Sequence, residues 1–277
     1  MIDRSPVGRT AQAATEPTPA GGFAGAFTTL RSAISMLTRI PVAVEADGGT
    51  GARAYGVVGA LVGLMGAVPL LALGDAVPTV ASILSIAAMA ALSGAVHLDG
   101  LADTADAIAA LGPDGAERAR RDPAIGVAGA ATLFLVLALE IAPLASLLSG
   151  HGPAVAAIAC IVAATVARTV PVVVVRLARS SAIGQGLGAW FAAGVTRLDV
   201  AFALVSATAI ALGAALAIGR PEVLLAGVAG GLFAIGLSFG LLRVRRQLDG
   251  DLLGAGVELA AAGTLAAAAV LAGWPVS

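Results

Sequence analysis

The chain of 277 residues contains no lysine, so all sixteen of its basic residues are arginine. A lysine Schiff base and a Walker-type phosphate loop both require a lysine, and both are therefore excluded. The single cysteine, Cys160, excludes a disulfide framework within the chain and a cysteine-rich zinc site. Charged residues are also scarce, at 12% of the chain, whereas in soluble domains they approach a quarter.

Hydrophobic residues are abundant instead, at 58% of the chain. A helix needs about 20 apolar residues to cross the bilayer core. Seven segments meet this requirement, namely 54–74, 79–98, 126–149, 153–175, 200–218, 222–242 and 252–273. We therefore expect an all-α, polytopic transmembrane helical bundle of about seven spans, with the lipid bilayer as its surroundings.

The N-terminal region differs from the rest in composition. Residues 1–26 are rich in proline and glycine and lack the apolar core of a signal peptide, which predicts a disordered tail. Residues 27–40 place apolar side chains at helical spacing and predict an amphipathic helix at the membrane interface. The segment 27–277 is then one membrane-embedded catalytic domain.

Arginines occur in alternate connections between the predicted spans. The groups are Arg31, Arg39 and Arg53 before the first span, Arg118, Arg120 and Arg121 after the second, Arg176, Arg179 and Arg197 after the fourth, and Arg243, Arg245 and Arg246 after the sixth. The opposite, short connections hold only Arg220. Since arginine accumulates on the cytoplasmic side, we expect a cytoplasmic N-terminus and a C-terminus outside.

Three carboxylates follow the second predicted span at i, i+4 and i+7. On a helix, Asp99, Asp103 and Asp106 share one face within roughly 60° and about 10 Å of axis. Like charges on one stripe repel each other unless cations neutralise them. Hard oxygen ligands of this kind suit Mg²⁺, which also binds substrate phosphates. The stripe therefore predicts a catalytic magnesium site, against the alternative of a solvated helix end.

Two residues next to the acidic stripe, Gly100 and His97, are further candidates for the site. Gly100 lacks a side chain, which would let a phosphate approach the backbone. His97 lies about 200° around the helix from Asp99. As a ligand it would need a helix break at Gly100, and a buried histidine is an equally good interpretation.

The loop 113–123 is a candidate second part of the site. Arg118 and Arg121 present guanidinium groups that suit pyrophosphate oxygens, although topology alone also explains arginines there. Asp122 is a candidate metal ligand from a second helix.

Three charges lie inside predicted spans, where each needs a partner or a wet cavity. Arg168 and Glu258 are both about 10 Å from the cytoplasmic side by helix rise, so we expect them to meet on the floor of the site and to contribute to substrate binding, with Arg168 reaching toward the pyrophosphate. The alternative is that Arg168 faces water in the cavity and Glu258 supports the metal ligands near Asp251. Glu140 is roughly 10 Å deeper by the same count and is interpreted as structural. Asp251, at the start of the last span, is either its N-cap or a further metal ligand.

Acids and arginines gathered on one rim favour an enzyme acting on phosphate-bearing substrates over a transporter, whose polar residues usually lie near the midplane. The same residues resemble cobalamin synthase, the adenosylcobinamide-GDP ribazoletransferase family. The matching blocks are Leu37-Thr38-Arg39-Ile40-Pro41, His97-Leu98-Asp99-Gly100-Leu101-Ala102-Asp103-Thr104-Ala105-Asp106, Arg121-Asp122 with Ile125-Gly126 and Gly129, and Gly250-Asp251 with Gly254-Ala255 before Glu258. The family's Gly-Gly-x-Thr-Gly-Asp run is here replaced by a segment that ends Asp249-Gly250-Asp251.

The resemblance implies a Mg²⁺-dependent reaction in which α-ribazole, or its 5′-phosphate, attacks the phosphoryl group joining cobinamide to GMP in adenosylcobinamide-GDP. GMP leaves, and adenosylcobalamin or its 5′-phosphate is formed. It implies a multi-pass protein of the inner cell membrane with a cytoplasmic active site, no nucleic-acid partner and an open question of homo-oligomerisation. Arg39, in the first block, is assigned to substrate binding.

Two alternatives remain at this point. The Asp-Gly-x-x-Ala-Asp stretch is similar to the Asp-Gly-x-x-Ala-Arg opening of CDP-alcohol phosphotransferases, with Asp103 where that family has arginine. A cation-coupled transporter is the alternative from another class.

Overall fold

The computed structural model describes residues 23–44, 49–110, 115, 124–178 and 186–273. These ranges contain ten α-helices and no β-strand. In chain order they are α1 (Phe23–Leu37), α2 (Tyr55–Leu73), α3 (Pro78–Ser93), α4 (Val96–Ala109), α5 (Val127–His151), α6 (Pro153–Leu177), α7 (Leu187–Gly194), α8 (Arg197–Ile218), α9 (Glu222–Arg245) and α10 (Gly250–Ala272). The amphipathic segment predicted over 27–40 corresponds to α1.

Six of these helices (α2, α5, α6, α8, α9 and α10) are long and apolar enough to cross a membrane, and α3 with α4 adds a seventh span if the bent pair counts as one. This confirms the predicted polytopic helical bundle. The central helix is α6, because 83% of its most hydropathic stretch is buried, against 22–50% in the other five. Helices α2, α5, α8, α9 and α10 pack around it.

The second predicted span, 79–98, is wrong as a continuous helix. Helix α3 ends at Ser93, and α4 starts at Val96 after a bend of 93°. Gly94 and Ala95 form the bend, and both have a left-handed backbone, with φ of 69° and 58°. The bend of 93° sets α4 nearly perpendicular to α3.

Glycines let the helices approach at backbone distance. A Cβ atom on Gly59 of α2 would lie 2.5 Å from the Ala164 carbonyl oxygen of α6, and one on Gly63 would lie 2.6 Å from the Ile161 Cα atom. Small residues at such crossings are typical of membrane helices, where van der Waals packing drives association. The α2–α6 crossing thus fixes the frame to which the short helices α4 and α7 attach.

Candidate active site

Helix α4 carries the acidic stripe, and its far end is fastened to α5 by Asp106. The two carboxylate oxygens of Asp106 accept hydrogen bonds from the backbone N–H groups of Gly126 and Gly129, at 2.7 and 2.8 Å. These donors belong to the N-terminus of α5, which has no partners of its own for them. A Cβ atom on either glycine would collide with the Asp106 carboxylate. Asp106 therefore has a capping role in addition to the predicted metal role.

The middle of α4 touches the start of α10. A Cβ atom on Gly100 would lie 2.9 Å from the carbonyl oxygen of Asp251. The backbone of α10 thus occupies the space that the sequence assigned to a phosphate, and the expected phosphate approach over Gly100 is corrected to a helix–helix contact. Its consequence is that Asp251 is brought beside the acids of α4.

A buried ion pair locks this junction. The Arg245 guanidinium, at the end of α9, binds both carboxylate oxygens of Asp249, at 3.1 and 2.7 Å, and donates to the Thr104 hydroxyl of α4 at 3.0 Å. Both side chains of the pair are 5% exposed. Asp249 also accepts from the Leu252 N–H and is the N-cap of α10, so the expectation of Asp251 as N-cap is corrected. The i,i+4 spacing of Arg245 and Asp249 is the signal from which this pair is predictable.

The acidic rim, defined as Asp99, Asp103, Asp106 and Asp251, is electrostatically unfavourable without a cation. Partial burial of Asp103 raises its pKa, and the negative charges of Asp99, Asp251 and Asp106 raise it further, while Arg245 opposes them. Within the described residues, no three His, Cys, Asp or Glu side chains are arranged to hold one metal ion among them. The four carboxylates are thus neighbours without forming a closed cage.

A cavity of about 400 Å³ opens beside the rim. Its walls come from α1, α2, α4, α6, α7 and α10 and include both Asp251 and His97. The rings of Tyr55 and Phe191 stack on one another there, with centroids 5.2 Å apart and an interplanar angle of 19°. Sequence reasoning missed both aromatic residues, since neither stands in a motif.

His97 lies within an unbroken helix, because the chain bends at Gly94 and Ala95 and continues through Gly100. The side chain is buried, and its Nδ1 atom has no hydrogen-bond partner among the described residues. Burial, and then the positive charge of Arg168, lower the pKa of His97 to about 3. A neutral imidazole therefore lines the cavity at neutral pH.

Beneath the cavity, Arg168 lies close to two glutamates. It is 4% exposed on the central helix and interacts electrostatically with Glu258 and Glu140, but neither forms an ion pair with it within 4.0 Å in the described part of the chain. Glu140 and Glu258 also lie close enough to each other to interact electrostatically. The expectation that Glu140 lies apart from Arg168 and Glu258 is corrected, because helix rise locates Cα atoms and not the ends of long side chains.

Of the remaining predicted site residues, Arg39 lies within the described part of the chain and the others lie outside it. The Arg39 side chain lies against Gly94 at the bend, and its backbone N–H donates to the Leu92 carbonyl at 2.8 Å. The predicted binding residues Arg118 and Arg121 and the predicted ligand Asp122 lie outside the described residues, as do residues 1–22 of the predicted tail.

Fold and site together define a polytopic membrane protein with a carboxylate-rich rim beside a partly apolar cavity. The family model described as cobalamin-5-phosphate synthase (CobS) matches residues 29–269. The chain therefore belongs to that family, a group of membrane proteins of cobalamin biosynthesis, which confirms the resemblance seen in the sequence. Comparison with curated proteins and with solved structures returned no match.

Proposed function

We propose that this chain is an adenosylcobinamide-GDP ribazoletransferase. In the reaction, a hydroxyl of α-ribazole, or of its 5′-phosphate, attacks the phosphoryl group that joins cobinamide to GMP. The new phosphodiester completes adenosylcobalamin or its 5′-phosphate, the hydroxyl proton is lost, and GMP leaves. The observation that carries the proposal is the acidic rim beside a cavity, in a chain matched along residues 29–269 by the family model.

The residues of the rim suit phosphoryl transfer, which depends mainly on positioning and charge neutralisation. Asp99 and Asp103 project from α4, and Asp251 meets them from α10 because of the Gly100 contact. Asp106 and the Arg245–Asp249 pair hold those two helices in place. Arg39, Arg118 and Arg121 are proposed to bind the pyrophosphate, and Asp122 to complete the ligand set.

The donor set fits Mg²⁺. All four groups are carboxylates, and their mutual repulsion at Asp103 favours a bound cation. Protein-bound Mg²⁺ commonly uses one or two carboxylates together with water and substrate phosphates, so a closed cage of three ligands is not required. When bound, Mg²⁺ would neutralise charge on the phosphates.

We further propose that the rim lies on the cytoplasmic side of the inner membrane. The arginine groups that flank α4 and end α9 support this orientation. A second copy of the chain is not needed to build the described part of the rim.

The decisive experiment is a GMP-release assay on the purified full chain in detergent. With adenosylcobinamide-GDP and α-ribazole, we expect GMP and a cobalamin product in equal amounts, with activity lost on chelation and restored by Mg²⁺. CMP release from a CDP-alcohol would indicate the phosphotransferase alternative. Absence of any nucleotide release would contradict the proposal.

A further inference from the structure

Three charged side chains meet inside the bundle, each from a different spanning helix. Arg168 of α6 is 4% exposed and Glu140 of α5 is 2% exposed, while Glu258 of α10 is half-buried. Electrostatic interactions connect Arg168 with both glutamates and the two glutamates with each other. A charged group inside a membrane protein is costly unless it has a partner. These three residues, here called the interior cluster, are therefore a candidate binding site.

The interior cluster has polar atoms that the surrounding side chains leave without a partner. The Nε atom of Arg168 and the Oε1 atom of Glu140 are enclosed, and neither has a hydrogen-bond partner among the described residues. Arg168 also forms no ion pair within 4.0 Å in the part of the chain that the structure describes. Since an unpartnered polar atom in the interior costs free energy, both atoms indicate that the cluster binds something besides its own side chains.

The interior cluster lies one helical turn beneath the cavity, on the side away from the acidic rim. Pro171 lines the cavity, and Arg168 precedes it by three residues on α6. Gly254 lines the cavity as well, and Glu258 follows it by four residues on the same face of α10. Because Glu258 is only half-buried, a species as small as a proton can reach it from the cavity.

The charges of the interior cluster do not balance when all three groups are ionised, because one guanidinium then faces two carboxylates. Among neighbouring titratable groups, the imidazole of His97 is neutral, and the thiol of Cys160 and the phenol of Tyr55 are uncharged at neutral pH. Helices α3 and α7 have no titratable side chain, and the acidic rim adds only negative charge. The charged residues of α8 and α9 lie at the helix ends, namely Arg197, Asp199, Glu222, Arg243 and Arg245. The described residues around the cluster therefore leave one negative charge uncompensated.

A proton is the neutralising species that suits the interior cluster best. A metal cation would be repelled by Arg168, and the described residues contain no group of three His, Cys, Asp or Glu side chains arranged to hold one. A proton needs only one carboxylate oxygen, and a buried charge without a partner is commonly neutralised by proton transfer. We propose that Glu140 and Glu258 bind one exchangeable proton between them, while Arg168 balances the carboxylate that remains. The proton comes from solvent through the cavity, and the carboxylate that binds it becomes a carboxylic acid.

The test is infrared spectroscopy of the purified full chain at neutral pH, in a detergent without carbonyl groups. A carboxylic acid has a C=O stretching band that a carboxylate lacks. We expect this band in the unmodified protein, and we expect it to move to lower frequency in D2O because the proton is exchangeable. Glu140→Gln and Glu258→Gln each leave one carboxylate opposite Arg168, so each should abolish the band.

Asp103→Asn is the matched control, because it removes an acid of the rim whose pKa is raised but leaves the interior cluster intact. It should keep the band. A band that persists in both glutamine variants, that fails to move in D2O, or that is absent from the unmodified protein would overturn the inference. Loss of the band when Na⁺ replaces choline in the buffer would overturn it in favour of a metal cation. The measurement uses no substrate, so its outcome is independent of the proposed function.

Discussion

At the start of α10 the sequence departs from the family's Gly-Gly-x-Thr-Gly-Asp run, and the residues found there still support the site. Asp249 stands where the family's run has threonine, and both residue types are good N-caps. In the structure Asp249 does cap α10, by accepting the Leu252 N–H at 3.0 Å. Its carboxylate also binds Arg245, a link that a threonine hydroxyl would make more weakly. Asp251 is thereby placed at the rim rather than at the cap.

Asp99 and Asp103 are expected to be needed for turnover and not for folding, because they are exposed and half-buried, respectively, and neither hydrogen-bonds to another group within the described ranges. Asp99→Asn and Asp103→Asn should each lower the rate of GMP release by roughly 100-fold, as for loss of one preorganised electrostatic group. The thermal midpoint in detergent should not fall. Asp75→Asn, at an exposed acid in the α2–α3 connection, is the control and should retain full activity. Near-normal activity of both rim variants at limiting Mg²⁺ would show that the metal assignment is wrong.

Two substitutions of Asp106 distinguish a structural role from a metal-binding role for this residue. Asp106→Ala removes the acceptor for two N–H groups of α5 and should cost about 1 kcal/mol of stability, the typical effect of a lost N-cap. Asp106→Asn keeps one acceptor oxygen and should lose less stability. If Asp106 also binds Mg²⁺, the asparagine variant should lose activity out of proportion to its change in thermal midpoint. Full activity of Asp106→Asn would assign this residue to capping alone.

At the scale of helices, hydropathy predicts the long spans but not the bend between α3 and α4. The window over 79–98 stays apolar through Ala95 and Val96, so nothing in its hydrophobicity marks an end. The bend needs a left-handed residue at Ala95 as well as at Gly94, and alanine rarely adopts that conformation. Two hydrogen bonds offset this conformational cost. The Ala95 N–H donates to the Ala90 carbonyl at 2.8 Å, and the Arg39 N–H donates to the Leu92 carbonyl of α3. The acidic stripe was predictable from its spacing, whereas the bend that sets its helix nearly perpendicular to α3 was not.

The α2–α6 crossing should be intolerant of added methyl groups. Gly63→Ala forces a Cβ atom to within 2.6 Å of the Ile161 Cα and should destabilise the bundle by roughly 1–3 kcal/mol, as overpacking does. Gly213→Ala, on α8, meets no atom within 4 Å and should stabilise its helix by up to about 1 kcal/mol. Thermal unfolding in detergent measures both. Equal effects of the two substitutions would contradict backbone contact at this crossing.

At the scale of the whole molecule, the arginine distribution predicts which ends of the helices share a side. In a Cys160→Ala background, Asp114→Cys and Gly150→Cys should react with an impermeant thiol reagent from opposite sides of the membrane. Asp114 should be reached only from the cytoplasm, and Gly150, exposed near the end of α5, only from outside. Labelling of both from one side would overturn the span count and the shared rim.

The charged residues inside the spans show how far depth, counted by helix rise, predicts which side chains lie close together. Equal depth predicts that Arg168 and Glu258 meet; within the described residues the two groups interact electrostatically but form no ion pair within 4.0 Å. It wrongly separated Glu140, whose carboxyl lies within electrostatic reach of both Glu258 and Arg168. One guanidinium and two carboxyl groups are therefore gathered in one cluster inside the bundle.

This cluster of one arginine and two glutamates predicts an asymmetric double-mutant cycle. Arg168→Met leaves a carboxylate uncompensated in a buried site and should cost roughly 3–5 kcal/mol. Glu258→Gln should cost less, because Glu140 remains as a second acidic group within electrostatic reach of Arg168. The double variant should be more stable than the sum of the single effects predicts, since it removes both charges together. Thermal midpoints of the four proteins in detergent measure the coupling.

The control cycle uses Arg220→Met and Glu222→Gln, a pair joined at 3.1 Å whose side chains are 36% and 14% exposed. A pair so accessible to solvent should contribute at most about 1 kcal/mol, so its two effects should nearly add. Additive effects at Arg168 and Glu258 as well would contradict the proposed electrostatic coupling. Equal costs of Glu258→Gln and Arg168→Met would show instead that Glu140 does not compensate Arg168 when Glu258 is lost.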